Sequence, residues 1–103
     1  MIEGQSTPAS NGRFTVLQGQ YLAFIRAYAL IHRAAPAERD IQRFFQVTAP
    51  AVHSMVLTLE NRGLIERTPG QARSIRLVIP ASELPTLEDP AEQKGAGRRL
   101  TRR

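Results

Sequence analysis

The stretch QVTAPAVHSMVLTLENRGLIERTPGQARSIRLVI, residues Gln46 to Ile79, contains the strongest indications of the fold. Its first half carries apolar residues spaced by four and three, which are Val52, Val56 and Leu59. This spacing predicts one buried face of a helix. Thr48 is suited to cap that helix, Pro50 is tolerated in its first turn, and Gly63 is suited to end it. The pattern therefore predicts a helix over residues 49–62.

The second half of the same stretch predicts a β-hairpin. We expect a strand over residues 64–67, a turn over residues 68–71 that contains Pro-Gly, and a second strand from Arg73. The inward positions of the second strand are Ile75, Leu77 and Ile79. Ser74 and Arg76 alternate with them and face outward. A hairpin directly behind a helix is typical of a wing.

Two further helices precede this stretch. Apolar residues trace a broad helical face over residues 17–33, which predicts a long, partly buried first helix. Pro36 stops the chain, and a second helix of about two turns is expected from Ala37. The three residues 46–48 connect this helix to the next, which is the spacing of a helix-turn-helix. The predicted fold is α+β and mainly α, a winged helix-turn-helix of three helices and a two-stranded β-hairpin wing.

The chain has three expected regions. Residues 1–14 are polar and are expected to form a flexible N-terminal arm. Residues 15–80 form the folded domain. From Pro80 onward the chain contains three Pro, an acidic segment and then the basic end KGAGRRLTRR, with few large apolar side chains. We expect residues 81–103 to be a disordered tail, and the basic end is either a solvated terminus or a segment that contacts DNA.

Composition excludes several classes of protein. The 103 residues include no Cys, so neither a disulfide framework nor a cysteine-based metal site is available. No apolar run reaches the length of about 20 residues that a membrane span needs, and no signal peptide is evident. The expected location is the cytoplasm, in association with the nucleoid. We expect no membrane association, no cofactor, no metal and no small-molecule ligand.

The net charge of +5 comes almost entirely from arginine, because 13 of the 14 basic residues are Arg. Guanidinium groups make planar, bidentate contacts with phosphate and guanine, which favours a nucleic-acid partner. A GC-rich genome would produce the same bias without any functional meaning. Composition alone leaves both explanations open.

The order of these elements resembles the winged helix-turn-helix DNA-binding domain of the LexA repressor family, with a looser similarity to MarR-type regulators. The resemblance rests on LAFIRAYALIHRAAPAERDI, VTAPAVHSMVLTLENRGLIER and PGQARSIRL. The chain departs from the family at Gln46, where Gly is usual, and at Ala37, where Thr is usual. LexA-like repressors also carry a self-cleaving domain, whereas only 24 residues follow Ile79, so we expect neither self-cleavage nor the dimerisation that this domain provides.

The resemblance implies double-stranded DNA as the partner. It places the start of helix 49–62 in the major groove, with these residues facing the bases: Thr48, Pro50, Ala51, His53 and Ser54. The wing and the start of the second helix would contact the backbone or the minor groove through Arg39, Arg67, Gln71, Arg73, Ser74 and Arg76. Replacement of Arg73 by Ala is expected to weaken binding to all sequences alike.

Other functions have less support in the sequence. No nucleophile, phosphate loop or metal cluster points to an enzyme, and His53 beside Ser54 is not a catalytic pair because adjacent helical residues diverge by about 100°. Leu57 falls on the exposed side of its helix, which leaves open a winged-helix module that binds protein without reading DNA. A homodimer through the first helix is a further expectation, because the surface around Tyr21, Tyr28 and Leu30 is unusually apolar.

Overall fold

The computed structural model describes residues 12–90. Three helices come first, α1 over Val16–His32, α2 over Glu38–Phe45 and α3 over Ala49–Asn61. Two short strands follow, β1 over Ile65–Glu66 and β2 over Arg76–Leu77, and a single turn of 3-10 helix covers Ala81–Glu83. The strands pair antiparallel, with Ile65 opposite Leu77 and Glu66 opposite Arg76. The predicted winged helix-turn-helix is confirmed.

Helix α1 begins one residue earlier than predicted because Thr15 forms a complete capping box with Gln18. The Thr15 hydroxyl accepts from the Gln18 amide at 3.1 Å, and the Gln18 side chain accepts from the Thr15 amide at 3.0 Å. The helix ends at His32, and Arg33 adopts the left-handed conformation with φ of +58°. Reciprocal capping thus defines the start of the helix.

The turn between α2 and α3 depends on an unusual backbone conformation at Gln46. Its φ is +56°, and its amide donates to the Gln42 carbonyl to close α2. Glycine is favoured in such a position because it has no Cβ to clash. At the other end of α2, Ala37 offers no side-chain acceptor, and the Asp40 carboxylate instead accepts from the Ala37 amide at 2.8 Å. Both departures from the family pattern are therefore tolerated.

Helix α3 follows its predicted local signals closely. The Thr48 hydroxyl accepts from the Ala51 amide at 3.3 Å, and Pro50 occupies the first turn. The helix ends one residue before its predicted end, and Gly63 has φ of +76°. The three predicted inward residues are fully buried, and they are Val52, Val56 and Leu59.

Aromatic side chains fill the space between α1 and α2. Tyr21 and Phe45 stack with ring centroids 4.4 Å apart, and Phe24 stacks on Phe44 at 4.7 Å. Tyr21 is only 3% exposed, and burial raises the pKa of its phenol. The expectation that Tyr21 contributes to a dimer surface was wrong, because its side chain lies in the core of its own domain.

The wing is shorter than predicted but has the expected alternation. Ile75 and Ile79 are buried, Leu77 is half-buried and Arg76 is exposed. A hydrogen bond of 3.0 Å from the Val78 amide to the Leu64 carbonyl extends the pairing beyond the two strands. The Gln71 amide closes the wing turn by donating to the Thr68 carbonyl at 3.0 Å.

The domain extends beyond both predicted boundaries. Phe14, expected in the arm, is 3% exposed, and Leu84 and Leu87, expected in the tail, pack against the core. Buried Gln20 on α1 donates to the Thr86 carbonyl at 2.9 Å and accepts from the Glu88 amide at 2.7 Å. We call residues 80–90 the strap.

The tail was predicted to start at residue 81, and this was wrong because the strap packs against the domain. Its few apolar side chains are well placed, and Gln20 satisfies two backbone groups that would otherwise need water. Gly19 makes room for this arrangement, because a Cβ there would lie 2.9 Å from the Phe14 ring and 3.1 Å from Pro85. Residues 1–11 and 91–103, the remainder of the expected arm and tail, lie outside the described residues.

Candidate nucleic-acid interface

The first turns of α3 present the predicted reading residues to solvent. All five side chains are exposed, and they are Thr48, Pro50, Ala51, His53 and Ser54. Most of them are small, so the backbone of the helix could approach another molecule closely. The Thr48 hydroxyl is already engaged as the N-cap, which leaves the helix start well ordered.

One acidic side chain lies next to this surface. The Glu38 carboxylate is 3.2 Å from Nδ1 of His53, and both side chains are partly exposed. Glu38 is in the first turn of α2, where a carboxylate also suits the helix dipole. The imidazole of the predicted reading residue His53 therefore lies within hydrogen-bonding distance of a carboxylate of its own domain.

The predicted wing arginines all have acidic partners. Arg67 donates to Glu60 at 3.0 Å with only 19% of its side chain exposed, and Arg76 pairs with Glu66 across the two strands. The Arg67 pair joins the wing to α3. Arg76 remains 72% exposed, so its pair with Glu66 is a weak surface interaction.

Arg73 is the most extensively bonded of the three. Its Nη1 lies 3.0 Å from the Tyr28 hydroxyl, 3.2 Å from the Ala35 carbonyl and 3.0 Å from Oδ2 of Asp40. Its guanidinium carbon lies 5.9 Å from the centroid of the Tyr28 ring. The side chain thus turns back onto the helices, which was not expected of a phosphate contact.

Asp40 is the anionic partner of this group. Burial by itself would raise the pKa of Asp40. The hydrogen bond from the Ala37 amide, the charge of Arg73 and hydrogen bonds from Tyr28 and Arg73 outweigh burial, so the pKa lies below its ordinary value. The carboxylate therefore stays ionised at neutral pH.

Ser74 and Gln71 have different roles from each other in the wing turn. The Ser74 hydroxyl accepts from the Thr68 amide at 2.9 Å and lies 2.9 Å from the Gln71 carbonyl. Ser74 therefore stabilises the turn through hydrogen bonds to its backbone, although the sequence pattern predicted an outward-facing side chain. Gln71 has an exposed side chain at the tip.

Two basic side chains of α2 have no partner in the described part of the chain. Arg39 and Arg43 are exposed on α2, four residues apart, and neither side chain has an ion pair or hydrogen bond among residues 12–90. Arg39 was among the predicted DNA contacts, and Arg43 was not. The spacing of four, which places both residues on one face of the helix, was the signal available in the sequence.

The structure brings the start of α3, the start of α2 and the wing turn to neighbouring positions. A shallow cleft between the helices and the wing is lined on one side by Pro36, Ala37 and Glu38 and on the other by residues 70–75. No group of three or more acidic or His side chains able to hold a metal occurs in the described part of the chain. No helix within residues 12–90 is long and apolar enough to cross a membrane.

Comparison with known proteins gives one family. Residues 12–74 match the family model of the LexA DNA-binding domain. The LexA repressor of Thermosipho melanesiensis is 38% identical over 66 residues, which are 64% of this chain and 33% of that protein. The LexA repressor of Thermosipho africanus is 41% identical over 61 residues, which are 59% of this chain and 31% of that protein. The chain thus spans about a third of the length of these curated relatives.

Proposed function

Because the chain belongs to the LexA DNA-binding domain family, we propose that it is a DNA-binding transcriptional regulator that acts as a repressor. The observation that carries this proposal is the exposed, capped start of α3 beside two unpaired arginines of α2. A helix start with small side chains and free amides can enter the major groove and approach phosphate. The proposed role is not enzymatic and needs no cofactor.

In the proposed complex, α3 reads the major groove with its first turns. Thr48, His53 and Ser54 would hydrogen-bond to base edges or phosphate, whereas Pro50 and Ala51 would contact a thymine methyl. Such side chains can discriminate few bases. Sequence preference of one copy is therefore expected to be modest.

The second helix and the wing supply the remaining contacts. In helix-turn-helix complexes the first helix of the motif crosses the DNA backbone, and Arg39 and Arg43 on α2 suit that position. The exposed wing residues Gln71 and Arg76 would contact the DNA backbone or the minor groove. Arg67, Arg73 and Ser74 would support the wing from within.

Two copies would raise specificity, because one helix reads only a few base pairs. We propose that a homodimer forms through the end of α1, where Leu30 is 60% exposed and Ile31 is 74% exposed. Sedimentation of the protein alone and on a duplex tests this. A monomer in both states would exclude the dimer.

A module that binds protein without reading DNA is the alternative. It is favoured by Leu57, which is 41% exposed on α3, and by the acidic partners of the wing arginines. Such a module would bind duplex DNA weakly and with little dependence on salt. The salt dependence of DNA binding therefore separates the two functions.

The deciding measurement is fluorescence anisotropy with a random-sequence duplex over a range of salt concentrations. We expect a slope of log affinity against log salt of about −0.9 for each phosphate neutralised, and several phosphates in total. A chain ending at Pro90 should be measured beside the full chain, because residues 91–103 include five basic side chains. Absence of binding at low salt would overturn the proposal.

A further inference from the structure

One guanidinium group connects the wing to three residues of the helical part of the domain, which lie 33 to 45 positions earlier in the chain. Tyr28 lies in α1, Ala35 lies in the connection between α1 and α2, and Asp40 lies in α2. Nη1 of Arg73 is within 3.2 Å of an oxygen atom of each. Two hydrogens on this nitrogen are shared among three acceptors, and the Asp40 carboxylate is only 12% exposed.

The backbone at Arg73 supports a role for its side chain inside the domain. Its φ is +57°, in the left-handed region that disfavours residues with a Cβ. An arginine in such a conformation is maintained by surrounding interactions. The bonds to Tyr28 and Asp40 are the interactions that can maintain it.

The acidic member of this group is also part of α2. Oδ2 of Asp40 accepts from both Arg73 and the Ala37 amide, at 3.0 and 2.8 Å. The wing and the start of α2 are thus bonded to the same oxygen atom. A change in the position of one requires an adjustment of the other.

We infer that Arg73 is a positioning residue for DNA binding, and that Tyr28, Asp40 and Arg73 form a wing clamp that sets the angle of the wing against the helices. This inference rests on the proposed function. The clamp holds the wing turn in one arrangement before DNA arrives, so less ordering is needed on binding. Arg73 thereby contributes to affinity without neutralising a phosphate.

Asp40→Asn distinguishes the clamp from simple electrostatics. Removal of a negative charge near DNA should strengthen binding if only charge matters. The clamp predicts weaker binding, by roughly 2- to 30-fold, because Asn cannot hold the guanidinium as an anion does. Asn keeps an oxygen that can accept from the Ala37 amide, so the start of α2 is preserved.

Arg73→Ala tests the same clamp from its other side. We expect weaker binding with the salt slope unchanged, whereas loss of a phosphate contact would reduce the slope by about 0.9. The double variant Asp40→Asn/Arg73→Ala should bind DNA no more weakly than the weaker-binding of the two single variants. Both substitutions remove the same interaction between these side chains. Glu66→Gln is the matched control, since it removes a wing carboxylate outside the clamp.

Hydrogen exchange of the free protein gives a readout independent of DNA. Amides of residues 66–76 should exchange faster in Arg73→Ala and in Asp40→Asn, while the amides of α3 remain protected. Tyr28→Phe is the mildest variant, because it keeps the ring packing and removes one acceptor. It should accelerate exchange in the same segment to a smaller extent.

Two outcomes would overturn the inference. Tighter binding by Asp40→Asn, as is expected for Glu66→Gln, together with a reduced salt slope in Arg73→Ala, would identify Arg73 as a phosphate contact. Unchanged wing exchange in Arg73→Ala would show that no clamp exists. If the wild type binds no duplex, the proposed function fails and so does the role of the clamp in binding, whereas faster wing exchange still supports the clamp itself.

Discussion

The Glu38 carboxylate at the start of α2 lies 3.2 Å from Nδ1 of His53, in the first turns of α3, on the surface proposed to face DNA. A carboxylate at this position opposes the approach of phosphate. The pair also occupies the imidazole that would otherwise be available to a base edge. Glu38 is therefore expected to limit affinity.

Glu38→Gln should tighten binding to a random-sequence duplex at pH 7 by about 2- to 5-fold, the effect of about 0.5–1 kcal/mol from one partly exposed like charge. Anisotropy at low salt measures it. Glu83→Gln is the control, because Glu83 lies in the strap, where it pairs with Arg13. Equal effects of the two substitutions would show that only net charge matters.

Arg39→Ala and Arg43→Ala should each reduce the salt slope of DNA binding by about 0.9, because each removes one proposed phosphate contact. Arg26→Ala is the matched control, since Arg26 is an exposed residue of α1 that lines a cleft beside the strap. It should leave the slope unchanged. An equal loss for all three substitutions would contradict a localised interface on α2.

Gln46→Gly should stabilise the domain. Glycine adopts the left-handed conformation at this position freely, and relief of strain outweighs its entropic cost by about 0.5–1 kcal/mol. Urea unfolding measures the change. Gln46→Ala keeps a Cβ at the same backbone position and should give no such gain. Stabilisation by both substitutions would show that the effect comes from loss of the Gln side chain and not from relief of backbone strain.

The strap should contribute to stability. Gln20→Ala leaves the Thr86 carbonyl and the Glu88 amide without their partner and should cost about 1–3 kcal/mol. A chain ending at Pro80 should also unfold at lower urea than one ending at Pro90. Equal stability of these two lengths would mean that the strap is not part of the cooperative unit.

Asp40 predicts an acid-dependent loss of stability. Its pKa is lowered in the folded protein, so between its folded pKa and its unfolded value of about 3.9 the unfolded chain binds more protons. The contribution of Asp40 is fully present above that unfolded value and is lost as pH falls through the lower folded pKa. The pH dependence of urea unfolding should be shallower there in Asp40→Asn, and an identical profile would contradict the role of this carboxylate.

Local patterns predicted the secondary structure well because their causes are local. Thr48 caps α3 and Gly63 ends it through bonds and backbone angles of nearby residues. The strap was mispredicted because its order depends on Gln20, more than sixty residues earlier in the chain. The composition of the strap does not indicate that Gln20 will bond to its backbone.

Local sequence patterns predict the three helices, the turn at Gln46, the wing and the family, since helical periodicity, capping and turn residues act over a few positions. The role of each charged side chain depends instead on the folded arrangement. Arg73 and Arg39 are equally basic in the sequence, but folding brings Asp40 to one and no described partner to the other. Because the energy of a charge depends on the groups within a few ångströms, its role is settled by the contacts of the folded chain.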